Sequence, residues 1–241
     1  MNDTSILARI RGLLAKAEST DFEAEAEALR DKATELIAKY QIDEALLATE
    51  TGGPRPIVKR FFSILAPYRY EQAVLWFSVG KVFGVHCITH TEYDRYDRLV
   101  CWGTESAIDT MELLVASLMV QGARQSRQVK AAPRFENPGY YSYQNGPSTA
   151  SLRRSFLAGF YKVAAERVSE AHGKAVEASG VGLVLVADLS RSKDACREEY
   201  GKIGRGPRKS YNTSGLDAGR TAGANADIGR SRLAGRMALN A

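Results

Sequence analysis

The 241-residue sequence is short of the residues that usually advertise a chemistry. It holds three cysteines, Cys87, Cys101 and Cys196, and none stands in a CxxC or other metal-finger spacing. That excludes a zinc ribbon or a disulfide framework and fits a reducing compartment. Histidine occurs three times, without an HExxH pair. GxSxG, the GxxxxGK[ST] phosphate loop and a GxGxxG after a strand are also missing, so no catalytic residue and no cofactor is expected from motifs. No apolar run approaches the roughly 18 to 20 residues of a membrane span. Residues 1–14 show neither the basic nor the apolar region of a secretory signal. The expected location is the cytoplasm, that of the host if the gene is viral, with no membrane partner.

What is present is charge in blocks. Residues 1–50 carry 6 Lys/Arg against 11 Asp/Glu, and residues 201–241 carry 8 against 2, a division that the net charge of +5 conceals. An acidic head, a nearly balanced body and a basic tail point to a polyanion partner, although basic tails also serve solubility alone. With 44% hydrophobic residues the chain can bury a full core, enough for one domain and a smaller attached unit.

Periodicity divides the chain further. Ile6, Ile10, Leu13, Leu14 and Ala17 share one helical face, and Ala24, Ala28, Leu29, Leu36, Ile37 and Tyr40 share another after the break at Ser19, Thr20 and Asp21. Residues 1–50 therefore read as an acidic helical hairpin. Gly52, Gly53, Pro54 and Pro56 mark a linker over 51–56. The body, 57–241, reads as a strand (57–65), a helix (68–84), a β-hairpin turning at Asp94 and Arg95 (85–103), a helix (104–130) and a long loop (131–149). A helix from 151 to about 178, a strand (182–189) and a helix (194–200) precede a basic region from about 201. The fold class is α+β: an N-terminal acidic helical hairpin attached to a mixed α/β body containing a β-hairpin, with a basic Gly/Ala-rich C-terminal helix.

That last helix is expected over 216–228, N-capped by Thr213 or Ser214. Gly215, Gly219, Ala222, Gly223 and Ala226 recur at spacings of three and four, which would leave one side almost without bulk. Glycines cost about 1 kcal/mol each in a helix relative to alanine, so close packing is the reason to expect them there.

The segment ILARIRGLLAKAESTDFEAEAEALRDKATELIAKYQID resembles the bacterial and phage domain of unknown function 2786. The resemblance rests on Ile10, Leu13, Leu14 and Ala17, on the acidic run from Glu23 to Ala26, and on Leu36, Lys39, Tyr40, Ile42 and Asp43. The segments WGTESAIDTMELLVASLMVQGARQ, LRRSFLAGF and RTAGANADIG resemble its companion, numbered 7168 among domains of unknown function. The arrangement is common in actinobacterial phages, so the resemblance implies a phage or prophage accessory protein. It supplies no catalytic residue to carry over.

Candidate sites follow from residue chemistry. Arg153 and Arg154 stand in an expected first helical turn, where exposed N–H groups and guanidinium groups suit a phosphate; an ion pair with the acidic hairpin would serve as well. Tyr140 and Tyr141, with Phe135 and Tyr143, are flanked by Arg124, Arg127, Lys130 and Arg134, the mixture on which single-stranded bases stack. Arg208, Lys209, Arg230 and Arg232 complete the basic set. On the hairpin, His86, His90 and Glu92 share a strand face. If 92 pairs with 97, 90 with 99 and 88 with 101, Asp97 and Cys101 join a weak candidate metal site. A half-buried hairpin with a charged tip is the plainer reading. Three functions remain open: non-specific nucleic-acid binding, docking of a host protein on the acidic hairpin, and, third, a metal-dependent hydrolase.

Overall fold

The structure, a computed structural model, describes residues 3–20, 22, 24–26, 28–33, 35–37, 53–92, 95–131, 146–179, 182–204, 206 and 209–228. The first helix, α1 (Asp3–Ser19), buries Ile10 and Ala17. The described positions of 24–37 are helical as well. Their buried face is Ala26, Arg30, Ala33 and Ile37, spaced one turn apart. Ala24 and Ala28, expected on that face, are exposed, and Leu29 and Leu36 are half-buried at its flank. Arg30 is the unexpected member: its guanidinium reaches Asp227 at 3.1 Å and the Ala17 carbonyl at 3.4 Å. Ile10, Ala33 and Ile37 join the same buried cluster as the body.

Three antiparallel strands, β1 (Val58–Ser63), β2 (His86–Glu92) and β3 (Arg95–Gly103), form a sheet in the order β1-β3-β2. Period-two alternation gives it two faces. Cys87, Leu99, Cys101 and Phe62 look into the main core, where Phe62 meets Trp76 with ring centroids 4.6 Å apart. Ile88, Val100 and Trp102 look the other way.

The hairpin register differs from the expected one by a single residue. His90 pairs with Arg98 and Ile88 with Val100, an irregularity between His90 and Glu92 takes Glu92 to Arg95, and Cys101 lies opposite Cys87, with their sulphurs 2.9 Å apart. A one-residue slip moves alternate side chains to the other face. Cys101 therefore belongs to the core face and not to the face of His86 and His90.

The helices α2 (Arg69–Val82), α3 (Glu105–Ser126) and α4 (Thr149–Ser179) pack on the inner side of the sheet, with Leu75, Val79, Ile108, Met111 and Phe160 fully buried between them. A fifth helix, α5 (Gly182–Tyr200), covers the outer face with Cys196, Ala195 and Tyr200, the last set edge-on to Trp102 at 5.6 Å. Residues 182–189, expected as a strand, are thus the first turns of α5. Asp188, Ser192 and Cys196 recur every four residues and are its buried positions, while Leu183 and Val186 face solvent. The apolar run that suggested a strand lies across the helix and not along one face of a sheet. Ser192 donates to the Gly84 carbonyl at 2.9 Å, and the carboxylate of Asp188 is held by Arg55 and Arg191. Among the described residues, no helix is long and apolar enough to cross a membrane.

The glycine-rich helix, α6, spans Thr213–Ala224, and its N-cap is Asn212, one residue before the expected Thr213. The Asn212 side chain accepts from the Gly215 N–H at 3.2 Å, while its own N–H is donated to the buried Ser155 hydroxyl of α4 at 2.8 Å. From there Gly215, Gly219 and Gly223 run along α4. A Cβ on Gly219 would stand 2.0 Å from the Phe156 carbonyl oxygen, one on Gly215 2.7 Å from that of Leu152, and one on Gly223 2.6 Å from that of Phe160. Gly159 answers from α4, where a Cβ would come within 2.2 Å of the Leu216 carbonyl. The two backbones touch, and only glycine fits the seam. The helix itself is not basic: its one acid, Asp217, pairs with its one base, Arg220, at 2.9 Å.

Candidate anion-binding cleft

Docking α6 on α4 builds one wall of a cleft of about 680 Å³, the size of a small-molecule site. Each wall follows from helical spacing. Tyr70, Val74, Ser78 and Lys81 form one stripe of α2; Ala158, Tyr161, Lys162, Ala165 and Ser169 form another on α4; Leu216 and Arg220 are one turn apart on α6. Lys209 and Tyr211, just before α6, close the end. Alanines on α4 keep the floor open, and tyrosines give it ring faces.

Glu71 is the cleft's least expected residue. It lies on the buried stripe of α2 with Leu75 and Val79 and is only 3% exposed. The chain enters this helix through Tyr68 in the left-handed region, which orients the first turn. Burial pushes the Glu71 carboxyl above the usual range, although the Tyr211 hydroxyl, which donates to Oε1 at 3.1 Å, and the charges of Arg154 and Lys209 pull it back. Burial and the neighbouring Glu71 charge in turn raise the phenols of Tyr161 and Tyr211, so both stay protonated and can donate.

The cations are unevenly committed. Lys162 faces Glu166 at 3.9 Å, and Arg220 takes Asp217. The Lys209 ammonium lies over the Tyr70 ring at 5.7 Å. Arg154 is the outlier: its Nε is buried and has no hydrogen-bond partner. A buried guanidinium N–H left unpaired is costly; Arg154 does not itself line the cleft, but its charge reaches Glu71 and Tyr211, which do.

Of the residues expected from the sequence, Arg154 and Lys209 come together around Glu71. Arg153 does not. Its Nε and Nη2 donate to the Val129 and Arg127 carbonyls at 3.1 and 3.0 Å, closing the C-terminal end of α3. Because α4 begins at Thr149, both arginines fall in its second turn, beyond the exposed N–H groups that motivated a phosphate site at the helix start. Tyr140, Tyr141, Arg208, Arg230 and Arg232 lie outside the described residues, as do Phe135, Tyr143 and Arg134. His86 stands on the outer sheet face at the edge of α5; the side chains of His90 and Glu92 also lie outside what is described. Among the described residues no three His, Cys, Asp or Glu side chains could hold a metal ion together. The acidic head is partly neutralised within itself, Glu25 by Lys16 at 3.2 Å and Glu35 by Lys32 at 2.7 Å.

Glu71 and Tyr211 were missed because the sequence separates them by 140 positions. The available signal was local: an acid in the first turn of a helix whose following turns carry Ala73, Leu75, Trp76 and Val79, directly after Tyr68 and Tyr70.

Comparison with known proteins places part of the chain. Residues 5–44 match the family described as a protein of unknown function, DUF2786. No curated protein and no solved structure matches the chain.

Proposed function

From that N-terminal match and the cleft behind it, we propose that this chain is a cytoplasmic accessory protein of the phage-associated kind that binds nucleic acid without sequence preference. Single observations weigh unequally, and the one that carries the reading is a cleft where Lys209 lies over the Tyr70 ring, with the charge of Arg154 felt by its lining residues Glu71 and Tyr211. A phosphate would meet Lys209 within reach of the Arg154 charge, while a base would stack on the tyrosine faces. Protonated Tyr161 adds a donor, and Tyr211, whose hydroxyl is committed to Glu71, adds no negative charge. Specificity is not expected, since a ring face accepts every base.

Fluorescence anisotropy with labelled single-stranded oligonucleotides across a salt series tests this. Phosphate contacts release counterions, so engagement of Arg154, Lys209 and Lys81 predicts a log–log salt slope of about −2. Arg154→Ala should make that slope shallower by about 0.7 while the fold persists. Salt-independent binding, or none, refutes the reading and transfers the search to a host protein docked on the acidic hairpin.

A further inference from the structure

A second pocket, of about 730 Å³, lies between the start of β2 and the C-terminal end of α5, bounded by His86, Lys193, Arg197, Lys202 and the Gly201–Ile203 turn. We propose that it binds a phosphate group. The inference is independent of the cleft reading.

Lys193 and Arg197 are one turn apart on α5 and project toward the start of β2. Gly201, in the left-handed region at φ +64, ends the helix, and its N–H returns to the Arg197 carbonyl at 2.8 Å. The turn brings Lys202 back over the same hollow. Three cations thus surround a half-buried imidazole from two elements, and the charge of Lys81, a residue of the cleft and not of this pocket, also reaches the ring.

The charge balance is what calls for a ligand. Burial lowers the His86 pKa first, and the charges of Lys193, Lys81 and Arg197 lower it further. Of the nearby acids, Glu199 is engaged by Lys59 at 2.6 Å, while Asp194 pairs with Arg197 itself at 3.3 Å across an exposed surface, leaving Lys193 and Lys202 as the pocket cations with no ion pair to a described residue. The side chains of His86, Lys193, Arg197 and Lys202 that face the hollow are donors or become donors on protonation, and a tetrahedral oxyanion accepts from several at once. A guanidinium offers the paired geometry phosphate prefers, and the ammonium groups add charge without demanding direction. A cationic ligand would be repelled by Lys193, Arg197 and Lys202.

The test is a titration of the full chain with inorganic phosphate at constant ionic strength, followed through the histidine ring resonances. Bound phosphate should move the His86 signal saturably and raise its pKa by about one unit, because an anion reverses the local field. His172, whose ring packs edge-on to Phe83 at 5.0 Å, should stay still. Lys193→Ala and Arg197→Ala should each weaken the effect about tenfold, as expected for loss of one charged hydrogen bond. Adenosine monophosphate and a short oligonucleotide form the other arms. Tighter binding of the oligonucleotide identifies a strand backbone as the source, and equal binding of all three identifies the phosphate group alone. A His86 signal indifferent to phosphate overturns the proposal, as does a shift that survives both substitutions. Arg154 variants do not enter this readout, so failure here and failure of the cleft reading are separate results.

Discussion

Gly219→Ala should weaken the protein although alanine is the better helix former. The added methyl carbon would stand 2.0 Å from the Phe156 carbonyl oxygen and 2.7 Å from its carbon. Relief requires α6 and α4 to separate by at least about 1 Å, which loosens contacts along the seam, since small gaps forfeit much of the dispersion attraction. Overpacking of this kind costs about 3 kcal/mol at the upper end of its usual range, the end that a backbone collision selects. Alanine returns about 1 kcal/mol of helix propensity. The net loss is about 2 kcal/mol, which for a chain of this size lowers Tm by about 4 to 8 °C. Gly173→Ala in α4 is the control, because a Cβ there meets nothing within 4 Å. It should stabilise by up to about 1 kcal/mol. Urea midpoints for the two variants, measured against the parent at equal slope, decide the matter. A Gly219→Ala protein as stable as the parent, or a pair of variants that shift in the same direction, would refute a seam set by backbone contact.

Three further outcomes are expected. Glu71 is an acid whose folded pKa is raised, so folding favours its protonated form; stability falls as pH rises from the ordinary carboxylate pKa through the folded one. Glu71→Gln, which keeps an acceptor for Tyr211, should raise the urea midpoint at pH 7, with the gain vanishing in acid; a gain independent of pH contradicts the assignment. Arg153→Ala should lower stability by about 1 to 3 kcal/mol through two orphaned carbonyls and leave nucleic-acid affinity unchanged, whereas Arg154→Ala should do the reverse. Asp227→Asn should cost about 1 to 3 kcal/mol, because the Arg30 guanidinium exchanges a charged acceptor at 3.1 Å for a neutral one, and a thermal midpoint equal to the parent's would contradict a contribution from this pair.

How far the sequence disclosed this molecule depended on the range of the forces involved. The helices of the body and the small-residue face of 213–224 were legible because period and size are local properties. The hairpin was legible as a hairpin, but its register turned on where the chain reverses, and one residue moved Cys101 to the core. Residues 182–189 misled because Val184, Leu185 and Val186 look alike as an apolar run; the burial of Asp188, Ser192 and Cys196 that makes them helical depends on Arg55 and Gly84 far away. Arg153 and Arg154 were indistinguishable as neighbours. The 100° turn between them sends one to the end of α3 and the other toward Glu71. Arg30 and Glu71, each buried, were invisible because a charge is placed inside only by partners the local sequence does not show.

The glycine seam has one more consequence, for how the cleft can change. A helix that docks through glycines freezes almost no side-chain rotamers in doing so, and the surfaces that meet are backbone, which has a single shape. Lys209, Tyr211, Leu216 and Arg220 all stand on the piece held this way. The cleft therefore has no partly closed forms assembled by side-chain rearrangement. Its wall is either seated in register with α4, at close to atomic tolerance, or absent as a unit.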